Sequence, residues 1–303
     1  MAEIGVDLER GREAAKMLLE AFATTGIHGR TDMPEDTLPA GITKGSREHV
    51  LFITLTVAID YQRDAAQLWE SSRQSYEDQE THYLFDPRAL SETEPSAVQR
   101  DMQRHALSQK PRKDAGIWRT VGVTFHKKWA DDPRRFLSDC GWNAPLVLSR
   151  LKGDSHLAHA RPVADYPYLR GPKIGPLWLR MLRDNVGITH LANLNRVPIP
   201  VDIHVARATL CLGVVRGEFE GPLEELFSHV RQAWADSVGG LVLRGRSVVA
   251  LDLDEPLWHL SKYGCRHRNP STGTCRLQRR CELAAFCVKG KVKIADTRIE
   301  LRT

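Results

Sequence analysis

Residues 196–213 read RVPIPVDIHVARATLCLG. Pro198 and Pro200 lock their own φ and hold the approach extended. Asp202 then stands where a helix begins, with Val205, Ala208, Leu210 and Leu212 spaced to pack inward. That makes Asp202 an N-cap candidate, a role worth about 1 kcal/mol when the carboxylate accepts first-turn N–H groups. A carboxylate so placed is also favoured in its charged form by the helix dipole. At the rim of a cleft it would have what stabilising a developing cation requires. Asp202 is therefore either a cap alone or a cap and a catalyst.

Outward from this stretch the chain reads as helix. Apolar residues recur at three- and four-residue intervals near 8–25, 47–75, 97–108, 114–129, 132–151, 174–186, 203–213, 222–237 and 253–263. Strand alternation is nearly absent, with VGGLVLRGRSVVALDLD (238–254) the one β-like stretch by propensity. Breaks fall at 31–45, 86–95, 153–167 and 196–200, and no repeat or low-complexity tract is present. The expected fold class is all-α. Trp69, Trp118, Trp129, Trp178 and Phe136 lie on helical patterns and read as core, while Trp142 reads as a pocket wall.

The chain has 303 residues, 42% of them hydrophobic, which is enough to bury a core without disulfide staples. No apolar run reaches the roughly 20 residues that span a bilayer. The first residues mix acids into an amphipathic pattern unlike a signal peptide. A cytoplasmic, nucleoid-associated protein with reduced thiols is expected, and no membrane partner.

Four of the six cysteines, Cys265, Cys275, Cys281 and Cys287, form a C-x9-C-x5-C-x5-C set. Four thiolates within so short a stretch can wrap one cluster or one tetrahedral ion. His267 is a possible replacement for one of them on zinc. Residues 262–302 carry a net charge of +8 against +5 for the entire chain, so the remainder is mildly acidic. A thiol cage in an electropositive collar suggests a metal module pressed against a phosphate backbone, with Arg266, Arg268, Arg276, Arg279 and Arg280 toward nucleic acid. Cys140 and Cys211 sit alone in apolar surroundings and read as small buried hydrophobes. His126, His156, His159 and His190 share no metal-ligand spacing and receive no role.

V-D-I-H-V-x-R-x-x-x-x-L-G resembles the V-D-T-H-V-x-R motif of the helix-hairpin-helix DNA glycosylases, the endonuclease III superfamily, with Ile203 in place of Thr. The resemblance places the essential catalytic carboxylate on Asp202, with His204 and Arg207 as structural companions. LRGPKIGPLWL (169–179) is similar to the family's L-P-G-V-G-x-K-T-A hairpin, with Gly171, Lys173 and Gly175 at its second Gly, its Lys and its Ala. Backbone N–H groups at such a turn grip a phosphate without reading sequence. In bifunctional members the Lys attacks C1′ and forms a Schiff base; in the other version water attacks and Lys173 only contacts a phosphate.

In the helix pattern at 46–72, Asp64 matches the family's S-x-Q-x-x-D. This places Tyr61 at the Gln position and Gln62 next to it, either of which would fill the gap left by an extruded base. The cysteine set resembles the family's C-x6-C-x2-C-x5-C loop, which implies a 4Fe-4S cluster, with structural zinc as the alternative.

The resemblance implies a two-lobed helix-hairpin-helix glycosylase fold with a C-terminal cluster loop. A six-helix barrel lobe over 46–199 would end in the hairpin, 1–45 and 200–262 would form a second lobe, and 263–303 the cluster loop and basic tail. The implied function is a monomeric DNA repair enzyme that flips a damaged or modified base out of duplex DNA and cuts its N-glycosidic bond. Abasic-site lyase activity through Lys173 would accompany it. The alternatives are a monofunctional glycosylase using water, a metal-stabilised DNA-binding protein without catalysis, or a cage that senses redox state.

Overall fold

The computed structural model describes residues 4–158, 160–217, 219, 221–269, 271–288, 291–295 and 298–302, the last two segments by main chain alone. His159, Lys289 and the side chains of the basic tail lie outside the described residues. The chain is mostly helical, 58% by residue, as expected for an all-α protein. It divides into two compact units, Met33–Arg196 and a discontinuous unit of Met1–Asp32 with Val197–Thr303. No helix among the described residues is long and apolar enough to cross a membrane.

The discontinuous unit begins with α1 (Leu8–Thr24), capped by Asp7, whose carboxylate accepts the Arg10 N–H at 3.0 Å. The Met33–Arg196 unit then supplies α2 (Arg47–Val57), α3 (Ala65–Glu77), α4 (Pro87–Glu92), α5 (Pro95–Asp101), α6 (Pro111–Trp129), α7 (Pro133–Asp139), α8 (Ala144–Gly153) and α9 (Ile174–Met181). After it come α10 (Ile203–Cys211), α11 (Leu223–Val238) and α12 (Asp254–His259).

Two long helical patterns are cut where the backbone turns left-handed. The 47–75 pattern breaks after Val57: Gln62 takes φ 51° and Asp64 restarts the chain as the N-cap of α3, accepting the Gln67 N–H at 3.1 Å. The 132–151 pattern breaks at Gly141 and Trp142, both at positive φ, so α7 and α8 are separate.

The Met33–Arg196 core is aromatic. Phe52 of α2 stacks on Phe85 and meets Tyr76 edge-on, and Trp118 of α6 closes on Phe85. Trp69, Trp118, Trp178 and Phe136 are buried, as the helical patterns implied, whereas Trp129 is only half-buried. Trp178 donates its indole N–H to Thr54 Oγ1 at 2.9 Å, so its polar atom is satisfied in the core. Truncating a ring buried this way costs about 3–5 kcal/mol.

In the other unit, α1 and α11 approach closely at Gly11, where a Cβ would fall 2.2 Å from Ser237 Oγ. Ala14, Ala15 and Leu18 of α1 share one core with Val205 and Leu210 of α10 and with Val230 and Trp234 of α11. Trp234 donates to Thr209 Oγ1 at 2.8 Å.

Strands occur only as antiparallel pairs among the described residues: β1 (Gly5–Val6) with β4 (Val215–Arg216), β2 (Ser155–Ala158) with β3 (Arg161–Ala164), β5 (Val242–Leu243) with β6 (Arg246–Ser247), and β7 (Lys291–Ala295) with β8 (Arg298–Arg302). The β-like stretch 238–254 thus yields only a two-residue pair, followed by a tight helical turn at Ala250–Leu253. The β2–β3 hairpin occupies a stretch expected to be a break. It is tied down by buried Asp165, which holds His156 at 2.8 Å and Lys128 at 2.5 Å.

Candidate metal centre and candidate nucleic-acid interface

The four clustered cysteines come together. Cys265, Cys275, Cys281 and Cys287 line one small cavity of about 20 Å³, and none is in a disulfide. Short helical turns at Cys265–His267, Gln278–Arg280 and Ala284–Phe286 place them, and an antiparallel bridge joins Arg268 to Cys275. A fifth thiol lines the same cavity: Cys211, the last residue of α10. It is buried, as expected of a small hydrophobe, and its carbonyl accepts the Val288 N–H at 2.9 Å.

Two further residues shape the cavity. Arg268, expected at the DNA surface, is buried: its guanidinium donates to the Gly273 carbonyl at 3.0 Å, the Val288 carbonyl at 2.7 Å and Cys287 Sγ at 3.2 Å. It holds the loop closed, and the expectation of a phosphate contact is corrected. Arg266, Arg276, Arg279 and Arg280 are exposed. His267 is also exposed and does not line the cavity, while His28 does.

The His28 N–H donates to Glu282 Oε1 at 3.0 Å, and its buried Nε2 has no hydrogen-bond partner. A Cβ at Gly264 would lie 2.4 Å from that nitrogen, so only glycine at 264 lets the imidazole in. His28, Cys281 and Glu282 offer ligand atoms within 4.8 Å of one another. No spacing pattern could have revealed His28 or Cys211, because both reach the cage through tertiary packing.

One zinc ion bound by four thiolates at about 2.3 Å requires the sulfurs to sit within roughly 4 Å of each other. Among the described residues no three cysteine sulfurs lie within 4.8 Å of one another, so the thiols are not gathered tightly enough round a point for one zinc ion. Burial pushes the Cys281 thiol up to about 11 and raises that of Cys287. Metal loading must therefore displace protons.

Asp202 caps α10: Oδ1 accepts the N–H groups of His204 at 2.7 Å and Val205 at 3.0 Å, and the residue is partly exposed. His204 Nδ1 shares a hydrogen bond with Ser261 Oγ at 3.3 Å, and Arg207 donates to the same oxygen at 3.3 Å. Both side chains thus pin α10 to the segment that leads into Cys265. The carboxylate and the cage stand at opposite ends of one nine-residue helix.

The hairpin lies in the other unit. The Gly171 N–H donates to the Tyr168 carbonyl at 2.9 Å, closing the turn, and Gly175 N–H donates to the Gly171 carbonyl at 3.1 Å. Gly175 is buried, with a Cβ there falling 2.8 Å from the Leu169 carbonyl and 2.9 Å from Leu148 Cδ2. It lets α8 and α9 cross and seats the turn, rather than meeting a phosphate itself. Lys173 is partly exposed, its amine 3.5 Å from the Asp60 carboxylate.

Tyr61 stacks on Tyr168 at 4.3 Å and its hydroxyl donates to Asp114. Burial and that hydrogen bond push its phenol up. Asp114 also accepts the N–H groups of Gln109 at 2.9 Å and Lys110 at 2.8 Å. Tyr61 is therefore locked in place, whereas Gln62 is exposed and left-handed, accepting the Lys110 amine at 2.6 Å. Lys110 and Lys113 stand over the Tyr61 ring at 5.0 and 4.9 Å. The structure thus groups Lys173, Tyr61 and Gln62 with two lysines that the sequence patterns did not single out.

Compared with known proteins, the chain matches no family model and no curated sequence.

Proposed function

We propose that this protein is a DNA glycosylase of the helix-hairpin-helix type, excising a damaged or modified base from duplex DNA and carrying an iron-sulfur loop. The observation that carries the reading is the shared helix. One end of α10 presents a carboxylate oriented by two backbone N–H groups, and its other end forms part of a cage lined by five cysteines. A cap alone would account for those two bonds; what favours a catalyst is that the capped carboxylate stays partly exposed within a stretch resembling the glycosylase motif.

Cys265, Cys275, Cys281 and Cys287 would hold a 4Fe-4S cluster, which when bound ties loop 265–288 together. The exposed Arg266, Arg279 and Arg280 then meet phosphates. The hairpin turn at Gly171 grips a further phosphate, and Gln62 fills the space left by the everted base. As the N-glycosidic bond breaks, positive charge builds on the sugar, and Asp202 stabilises it electrostatically. An amine 3.5 Å from the Asp60 carboxylate suits a phosphate contact, with water as the nucleophile, better than Schiff-base attack.

The test is base release from a panel of lesion-bearing duplexes, with borohydride trapping alongside. Excision that survives Lys173→Ala without a trapped adduct in the parent supports the water route. An adduct that is lost in Lys173→Ala but kept in Lys293→Ala establishes the lyase instead. Absence of base release across the panel, with DNA bound normally, refutes the enzyme and leaves the binding protein.

A further inference from the structure

We infer that Lys113, held over a pair of stacked tyrosines, donates to a backbone phosphate of the DNA strand that the hairpin turn grips, with Tyr61 and Tyr168 as the positioning residues for its ammonium. The inference deepens the DNA-binding reading above and rests on it.

Tyr61 and Tyr168 come from distant segments, and their rings stack with centres 4.3 Å apart and planes 27° from parallel. Each is anchored. The Tyr61 hydroxyl donates to Asp114, and the Tyr168 carbonyl accepts the Gly171 N–H at 2.9 Å, which makes Tyr168 part of the hairpin turn itself. The Lys113 amine, from the first turns of α6, stands over the rings at 4.9 Å from the centre of each. Such a cation is drawn to the π-electrons of the rings, yet its three N–H donors stay available to an acceptor that arrives.

No acid takes that place. Asp114, the neighbour in sequence, is buried and turned inward, where it also accepts the Ser108 hydroxyl at 3.0 Å and the N–H groups of Gln109 and Lys110. Among the described residues Lys113 has no carboxylate partner, whereas Lys110 gives its amine to Gln62 at 2.6 Å. Lys110, Arg112, Lys113 and Arg170 are all exposed, so positive charge gathers on both segments that the tyrosine pair joins. An ammonium fixed beside the hairpin turn and left unneutralised by its own chain suits the next phosphate along the gripped strand.

The experiment uses the full chain and an undamaged duplex, with affinity read by fluorescence anisotropy over a salt series. The variants are Lys113→Ala, Lys127→Ala, Tyr168→Leu, Tyr168→Phe and the double variant Lys113→Ala with Tyr168→Leu. Lys127 is exposed on the last turn of the same helix, about 21 Å along its axis from Lys113, and controls for a charge lost elsewhere on the surface. Lys113→Ala is expected to weaken binding and to reduce the salt slope by about one, with the slope of Lys127→Ala unchanged. Tyr168→Leu, which keeps every charge, weakens binding in the parent and adds nothing once Lys113 is gone; Tyr168→Phe, which keeps the ring, recovers it. Circular dichroism confirms that each variant is folded. A slope in Lys113→Ala equal to that of Lys127→Ala overturns the inference. So does a loss from Tyr168→Leu that is as large without Lys113 as with it. A parent that binds no duplex DNA sinks the DNA reading itself, a result distinct from either, and base release enters none of these measurements.

Discussion

Replacing Asp202 by Asn and by Ala separates its two roles. Oδ1 accepts two backbone N–H groups at 2.7 and 3.0 Å, and the carbonyl oxygen of Asn can accept the same pair. Asn and Asp are comparable N-caps, so Asp202→Asn is expected to keep stability within about 0.5 kcal/mol, while Asp202→Ala loses about 1 kcal/mol. For a chain of this size the Ala variant melts roughly 2–4 °C lower. Excision follows a different order. Asn cannot supply the negative charge that opposes a developing sugar cation, and removing one preorganised electrostatic partner costs on the order of 10²–10³ in rate. Both variants should lose that much or more under single-turnover conditions, with DNA affinity unchanged by fluorescence anisotropy. Retained excision in Asp202→Asn would refute the catalytic role; a melting temperature as low as that of Asp202→Ala would refute the cap argument.

Arg268→Met leaves the buried carbonyls of Gly273 and Val288 short of a donor, at a cost on the order of 2–4 kcal/mol in thermal melts. It should leave the salt dependence of DNA binding intact, whereas Arg279→Ala and Arg280→Ala should each reduce that slope by about one. Glu35→Ala strips the partner at 2.6 Å from buried Arg180 and should destabilise the Met33–Arg196 unit by about 3–5 kcal/mol in urea unfolding. His49 is held near a value of 4 by burial and then by Lys44, below its ordinary 6.5. Its contribution to stability is complete above about pH 6.5 and is lost as the pH falls toward 4, where the unfolded chain binds the extra proton first. The loss is roughly 2–3 kcal/mol. His49→Asn keeps an acceptor for the Gly45 N–H and should flatten that acid limb.

What could be read from the chain followed from local physics. The helix at 203 was legible because Pro198, Pro200 and Asp202 mark its start, and α1 because its apolar spacing is continuous. The breaks inside 47–75 and 132–151 were not, since Gln62 and Trp142 adopt positive φ without the glycine that would announce it. The hairpin at 155–164 escaped because its apolar residues face solvent, Leu157 most of all, so no buried alternation marks it. Among candidate site residues, the spacing of the four clustered cysteines was a local signal. The inward turn of Arg268 and the arrival of Cys211 and His28 at the same cavity depend on contacts between distant segments, to which composition and periodicity are blind.

A helix of nine residues is about 13 Å long, a stiff rod of two and a half turns. Because α10 carries the carboxylate on its first turn and a cavity-lining thiol on its last, any displacement of that thiol is passed along one rigid element to the setting of Asp202.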